Sequence, residues 1–447
     1  MALEVAAGRE KIESVLADVL AASKADETEA LFSGTEAALT RYTRNEIHEN
    51  VVEKDVSLNV RAIFGKRVGV ASTNRLDRQS IADTIARAAA IAKLAPEDQQ
   101  FPGLPGDGGD APDLPGAYDE PTAQASPDER ADAVERIART MHKHQLHAAG
   151  YFATRSDVIA VANSKGTARF FRATDASVNI KAIADDSSGY AEGFARSISR
   201  IDVGGLAERA AKKAIDGRDP APLPPGKYTV ILEPPAFREF LGYLSWAGFG
   251  AQGLDEGSSF MAGRIGQRVM GENVTIRDDF ADPHGAGIPF DFEGVRRRPV
   301  TLIEKGIARD VVYDSYYGAK MGHPNTGHAL PAPNSDGPFP LNIVVAPGSR
   351  TQAELVQDVE RGVLVSRTWY IRMVDQKKLL ITGMTRDGLF LIERGKITRG
   401  LKNMRFNESI VDALNRCEMA RELERSESSV LPAVRIDDFN FTSGTTF

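Results

Sequence analysis

The sequence predicts an α+β protein: an N-terminal antiparallel sheet with helices, then a mainly antiparallel β C-terminal domain, barrel- or sandwich-like. Three observations carry this: an internal repeat, a proline-rich break after it, and a series of strand-like runs beyond the break. The repeat is the most informative. "DVSLNVRAI" at Asp55–Ile63 returns as "DASVNIKAI" at Asp175–Ile183, with five of nine positions identical and the rest exchanged like for like. The register holds further along, since Gly69 and Ala71 recur as Gly189 and Ala191, again 120 residues on. Both copies alternate apolar and polar residues in period two, the pattern of a half-buried strand. Each is followed by a short polar turn, another strand and an alanine-rich helix, Ser80–Lys93 and Gly205–Ile215. Each is preceded by a helix, near Arg9–Ala22 and Pro127–His147. A duplicated α-β-β-β-α unit results, and strands joined by turns this short are antiparallel neighbours.

The 33 residues Ala95–Pro127 between the copies are rich in proline, glycine and aspartate, and no packed element is expected in residues 95–127. A second break, "DGRDPAPLPPGK" at Asp216–Lys227, divides an N-terminal domain, 1–216, from a C-terminal one, 226–447. Beyond it strand-like runs follow at Tyr228–Leu232, Val300–Glu304, Leu341–Ala346, Ile371–Asp375, Lys378–Met384 and Gly388–Glu393. "TRDGLFLIERGKI" reads as a hairpin with turns at Asp387-Gly388 and Arg394-Gly395. A closing helix is expected near Asn407–Glu422, with Cys417 inside it as a small buried hydrophobe.

Composition sets further bounds. With 447 residues the chain has room for two or three domains, and 42% hydrophobic with 26% charged residues is ordinary for a globular protein. A net charge of −7 and no basic run longer than Arg296-Arg297-Arg298 argue against nucleic acid as a partner. No stretch approaches the roughly 18 apolar residues of a membrane span, and the charged N-terminus lacks a signal peptide's apolar region. One cysteine fits a reducing compartment, so a cytoplasmic protein is expected.

Site motifs are mostly excluded by context. Gly248-Phe249-Gly250-Ala251-Gln252-Gly253 spells a dinucleotide fingerprint, but a helix rather than a strand should precede it. No serine elbow is present. His48 begins "HENVV", where Val52 stands in place of the second histidine of a zinc helix. "MHKHQLH" places His142, His144 and His147 at a helix C-terminus, a favourable place for cationic surface groups. His323 and His328, in "GHPNTGH", are the most site-like pair, yet two histidines without a third ligand make no zinc site. In "EPPAFREFLGYLSW", Phe237, Phe240, Leu241 and Leu244 form an i, i+3, i+4, i+7 stripe, so this helix packs rather than catalyses. We therefore expect no metal on this chain.

Several stretches together resemble the TldD/PmbA (TldD/TldE) family. "NEIHENVVEKDVSLNVRAIFGKRVGVASTNRLD" resembles its N-terminal hallmark, and "SSFMAGRIGQRV", "YDSYYGAKMGHPNTGHALP", "LIERGKITRGLKN" and "VRIDDFNFTSGT" continue the match in order across nearly the whole chain. The resemblance implies an α+β N-terminal and a largely β C-terminal domain. It also implies a two-chain peptidase acting on small or unfolded polypeptides, in which a TldD-type subunit carries zinc on an H-E-x-x-x-H helix completed by a C-terminal cysteine. Here that position reads "EPPAFR": Glu233 and Arg238 occupy the histidine positions and Pro234 replaces the glutamate. Cys417 lies upstream of the family's cysteine segment. The chain is similar to the PmbA/TldE-type partner, with no cofactor of its own, zinc on the TldD-type partner, and a homodimer as an option when that partner is absent.

On this reading the peptide cleft is walled by Tyr313, Asp314, Tyr316, His323, Thr326 and His328, the last departing from the family's "TGNA". Core or interface packing is the alternative use of Tyr313, Tyr316 and Tyr317. The other functional class is a stand-alone hydrolase without the usual zinc site, using His323, His328, Asp314 or a tyrosine.

Overall fold

Residues 8–106 and 108–445 are described by the structure, a computed structural model. The N-terminal half runs α1 (Arg9–Ala22), β1 (Glu27–Thr43), β2 (Glu46–Phe64), β3 (Arg67–Thr73), α2 (Arg78–Leu94), then α3 (Glu120–Ala123), α4 (Pro127–Lys143), β4 (His147–Asn163), β5 (Ala168–Ile183), β6 (Ser188–Ala195) and α5 (Val203–Asp216). The repeated nonapeptides fall in β2 and β5. The two units join through an antiparallel β1–β4 ladder, from Glu29 opposite Asn163 to Thr43 opposite Ala149. One six-stranded sheet results, in the order β3-β2-β1-β4-β5-β6.

The helices cover one face. Ile12, Leu16 and Val19 of α1 bury against Ala30, Phe32, Leu58 and Val60, and Val134, Ile137 and Met141 of α4 against Phe152, Val178 and Ile180. The repeated glycines have a packing reason. A Cβ on Gly69 would lie 2.2 Å from the Ala92 nitrogen, and one on Gly189 would lie 2.1 Å from the Ala210 oxygen. Helix backbone thus rests directly on strand backbone in both copies, which is also why α2 and α5 present Ala88, Ala92, Ala207, Ala210 and Ala214 inward.

Two N-terminal expectations need correction. Residues 95–127 are not an unpacked connector: Phe101 and Leu104 bury against Ile63 and Val68, and α3 forms within the segment. Two apolar side chains anchor it where no periodicity announces them. The helix expected to reach His147 ends at Lys143; Gln145 adopts φ 55° and His147 opens β4. His144 lies on the surface, its Nε2 3.0 Å from Glu208 Oε2 of α5.

The C-terminal half contains β7 (Gly226–Leu232), α6 (Pro234–Gly248), α7 (Ala251–Asp255), β8 (Ile276–Asp278), β9 (Val300–Glu304), β10 (Ile307–Ala308), α8 (Ser315–Met321), β11 (Ile343–Val345) and α9 (Gln352–Gln357). It continues with β12 (Arg361–Asp375), β13 (Leu380–Glu393), β14 (Lys396–Gly400), β15 (Met404–Ser409), α10 (Ile410–Asn415), β16 (Cys417–Ser426) and β17 (Ser429–Gly444). The sheet path β17-β15-β13-β12-β7 closes on itself because β17 also pairs with β7, giving a five-stranded barrel. Most pairings are antiparallel; β7–β12 and β11–β17 are parallel. Phe240 of α6 stacks near Phe406 and Phe439 at ring separations of 5.9 and 6.2 Å.

The closing helix expected over Asn407–Glu422 is instead a strand, one short helix and a second strand. Cys417 begins β16, which ladders with β17 from Cys417 opposite Ile436 to Ser426 opposite Ser429. The pairing overrides the helical propensity of "CEMAREL". Asp387-Gly388 is likewise no turn. It lies inside β13 beside a register shift, with Asp387 at φ 53° and buried. The Arg394-Gly395 turn does link β13 to β14.

Candidate functional site

At the start of α6, where the resemblance places zinc ligands in TldD-type members, this chain has an ion pair between its two halves. β7 delivers Glu233 to the N-cap, and Pro234 and Pro235 supply the preset first turn. Phe237, Phe240, Leu241 and Leu244 are buried, so the apolar stripe faces the barrel core. The Lys213 ammonium of α5 lies 2.6 Å from Glu233 Oε2, with side chains 15% and 13% exposed. Burial alone raises the Glu233 carboxyl; Lys213 outweighs it and holds the group below the ordinary glutamate range. One turn on, Arg238 bridges Glu239 and Glu427, each at 2.7 Å. A divalent cation set here would face an ammonium and a guanidinium, so these residues do not fit a zinc ion. Among the described residues no group of three or more His, Cys, Asp or Glu side chains is arranged to hold a metal.

Cys417 offers no nucleophile either, because burial pushes its thiol up to about 12. Gly248–Gly253 follows a helix and opens a single five-residue turn, α7, so it lacks the strand a phosphate fingerprint requires.

The Tyr313–His328 segment is brought together, though as a folded knot rather than an open wall. Asp314 caps α8, accepting from the Tyr317 N–H at 2.8 Å. The Tyr313 ring stacks on His323 with centroids 3.9 Å apart. His323 Nε2 is 3.4 Å from Asp310 Oδ2, and burial with Asp310 pushes the Tyr313 phenol up to about 12. Thr326 Oγ1 accepts from the Tyr313 N–H at 2.7 Å, and its one hydroxyl proton faces two acceptors at 2.9 Å, the Tyr313 carbonyl and His328 Nδ1. Tyr316, half-buried, donates to Gln100 Oε1 at 3.2 Å, tying the segment to the loop between the repeats.

His328 is fully buried, so the idea that it tunes substrate choice from a cleft wall is not met by its position. Its Nε2 donates to Asp278 Oδ1 and its Nδ1 meets Thr326 Oγ1, both at 2.9 Å. Burial lowers the His328 imidazole, and Asp278 is held below the ordinary range, which fits a neutral ring donating to a carboxylate. The connectivity Asp278–His328–Thr326 is that of a catalytic triad. All three are buried, and the threonine oxygen is engaged by Tyr313, so no substrate atom can reach it. Tyr316 and His323 alone of the six retain partial exposure.

Sequence reasoning missed a groove on the helix-free face of the N-terminal sheet. Its volume is ≈ 930 Å³, and β1, β2, β4 and β5 floor it while Ala286–Phe292 and Arg425–Ser428 overhang it. An ion pair between Arg425 and Asp175 staples the two halves along it, beside the Arg238–Glu427 pair within the C-terminal half. Arg196 donates to the Gly287 carbonyl at 2.8 Å, and burial beside Arg425 brings it down to about 10. The available signal was Asp175, the first residue of the second repeat copy, on the period-two face opposite the helices.

Asp314 gives a pH prediction. Burial, reinforced by nearby Glu293 and opposed by the capping N–H groups, pushes its carboxyl up to about 6. A carboxyl whose folded value exceeds its unfolded value binds protons better in the folded state, so its contribution is full at low pH and is lost as pH rises to about 6. Asp314→Asn keeps a capping oxygen and removes that slope. Relative to wild type, the variant should gain up to about 3 kcal/mol between pH 4 and 7. Urea melts at both pH values check this, and parallel pH profiles for the two proteins would refute it.

A five-stranded barrel fused to a duplicated α+β layer is the architecture of the PmbA/TldD metallopeptidase-like proteins. The chain belongs to the PmbA/TldD family: residues 28–92 match the model for PmbA/TldA metallopeptidase domain 1, 120–218 the central domain and 225–443 the C-terminal domain. It is 26% identical over 348 residues to a protein named metalloprotease PmbA from Escherichia coli O157:H7, covering 73% of this chain and 75% of that one. It is 25% identical over 274 residues to a metalloprotease of Methanothermobacter thermautotrophicus, covering 57% of this chain and 58% of that relative, under two thirds of its length. The fold matches the crystal structure of TldE from Thermococcus kodakarensis with a TM-score of 0.87 and 21% identity, covering 96% of this chain and 99% of that one. No helix is long and apolar enough to cross a membrane, among the described residues.

Proposed function

We propose that this chain is the non-catalytic, PmbA/TldE-like subunit of a two-chain cytoplasmic peptidase, paired with a zinc-bearing TldD-type relative and acting on small or unfolded polypeptides. One observation carries the reading: Glu233 and Arg238, at the positions the resemblance gives to zinc ligands, are both held in ion pairs, Glu233 with Lys213 of the N-terminal half and Arg238 with Glu239 and Glu427. Such a site holds two halves of one chain together and has no open coordination position for a water molecule. A matching relative named zinc metalloprotease TldD homolog, from Saccharolobus solfataricus, is 26% identical over 205 residues, which supports partnership between related chains. The stand-alone hydrolase reading draws on His323, His328 and Asp314. Two of these are buried, so the geometry lends it no support.

Co-expression with the TldD-type chain of the same genome tests the proposal. A stable complex on size exclusion, with cleavage of an unfolded casein substrate only when both chains are present, is expected. Cleavage by this chain alone, or no complex, would overturn it.

A further inference from the structure

The sheet leaves one long strand edge bare. β2 has 19 residues, and β3 covers only Leu58–Phe64 of it. Glu46–Lys54 ladders with β1 alone. Among the described residues no main-chain group of Glu46–Lys54 bonds on the side away from β1. In the second copy β6 likewise covers only Ala176–Ile183 of β5. There the connecting loop meets the inner end of the overhang: the Thr174 N–H donates to the Ala117 carbonyl at 2.9 Å, and Arg172 lies 3.8 Å over the Tyr118 ring. The loop thus reaches one overhang at Thr174, and the β2 overhang has no counterpart to it among the described residues.

We propose that the Glu46–Lys54 edge of β2 accepts an extended polypeptide segment that carries lysine or arginine at alternate positions. The edge supplies main-chain donors and acceptors in strand register, which any extended chain can match. Side-chain choice comes from the groove, where Glu49, Val51 and Glu53 point, and Asp55 continues the same face. Arg41 offsets Glu49 across the ladder, and Lys54 is already paired with Glu36 at 3.1 Å, leaving an acidic row facing the added strand. Ile47 and Val52, 41% and 50% exposed, offer apolar contact on the way in. A second copy of this chain is the poorer occupant, because it would bring an edge of the same sign on a molecule of net charge −7.

The inference rests on the reading that this chain handles polypeptides, but its test uses the chain alone, so failure of the two-chain complex is read separately. Fluorescence anisotropy with a labelled nonapeptide of alternating lysine and threonine should show binding that weakens with salt. The alternating glutamate–threonine peptide should bind at least about tenfold more weakly. The double variant Glu49→Lys/Glu53→Lys should lose at least about tenfold in affinity for the lysine peptide. Val52→Pro and Glu53→Pro bracket the main-chain contribution, because consecutive residues point their N–H groups to opposite sides of a strand. The one whose N–H faces outward should fold by circular dichroism and lose binding. If neither folds, the charge double variant decides. No binding by wild type, unchanged binding by the double variant, or a wild-type dimer on sedimentation that the folded proline variant dissolves would overturn the proposal.

Discussion

Replacing Arg61 by methionine is expected to cost about 3–5 kcal/mol of stability, because it strands two buried carboxylates. Arg61 on β2 reaches Glu29 of β1 at 2.6 Å and Glu293 of the C-terminal half at 3.1 Å, with side chains 10%, 5% and 12% exposed. Burial raises the Glu29 carboxyl even with the guanidinium in place, and Arg61 opposes it. Without Arg61 that opposition is gone. A carboxyl with a raised folded value gains stability as pH falls, so the deficit of the variant should shrink from pH 8 to pH 5. Adding Glu29→Gln and Glu293→Gln to Arg61→Met should recover most of the loss, since neutral amides carry a smaller desolvation penalty. Chemical denaturation of the three proteins measures this. A loss below about 1 kcal/mol, the value of a solvated surface pair, would contradict a buried staple between the halves.

Lys213→Met should be comparably severe, about 3–5 kcal/mol, for it leaves Glu233 buried at the head of α6. Its diagnostic feature is the direction of the pH response. In wild type Lys213 holds Glu233 below its ordinary value, so the pair contributes stability above the unfolded glutamate pKa and loses it as pH falls. In the variant burial acts without the ammonium and raises the carboxyl, so stability should rise as pH falls. The variant's deficit relative to wild type should therefore shrink as pH falls from 7 to 4, and Lys213→Met/Glu233→Gln should flatten that difference. Equal slopes would mean that Glu233 is solvated rather than clamped.

Much of the fold was legible because repeated local patterns agreed with tertiary contacts. The period-two nonapeptides became β2 and β5, and Gly69 and Gly189 mark the sites where helix backbone touches strand backbone. The stripe Phe237, Phe240, Leu241, Leu244 identified a packing helix because a 3.6-residue period gathers its apolar side chains on one helix face, which must be covered. What failed depended on partners distant in sequence. "CEMARELERS" has helix-forming composition but becomes β16 because β17 supplies a ladder. Asp387-Gly388 reads as a turn, yet Lys181 at 2.8 Å and Arg367 at 3.2 Å hold Asp387 inside a bulged strand. The site was legible only in part. The substitution of Glu233, Pro234 and Arg238 for metal ligands could be read from the resemblance, but their ion-pair partners Lys213 and Glu427 lie 20 and 189 residues away. His328 shows the converse. A histidine in a glycine turn looks available, and only the positions of Asp278 and Thr326 show that its ring is enclosed.

Elemental analysis of the purified chain, alone and in complex with its TldD-type relative, tests the central claim most directly. No stoichiometric zinc on this chain alone and about one zinc per partner chain in the complex are expected, because the metal follows the complete ligand set. Stoichiometric zinc on this chain alone, lost together with a chelator-sensitive peptidase activity, would contradict it.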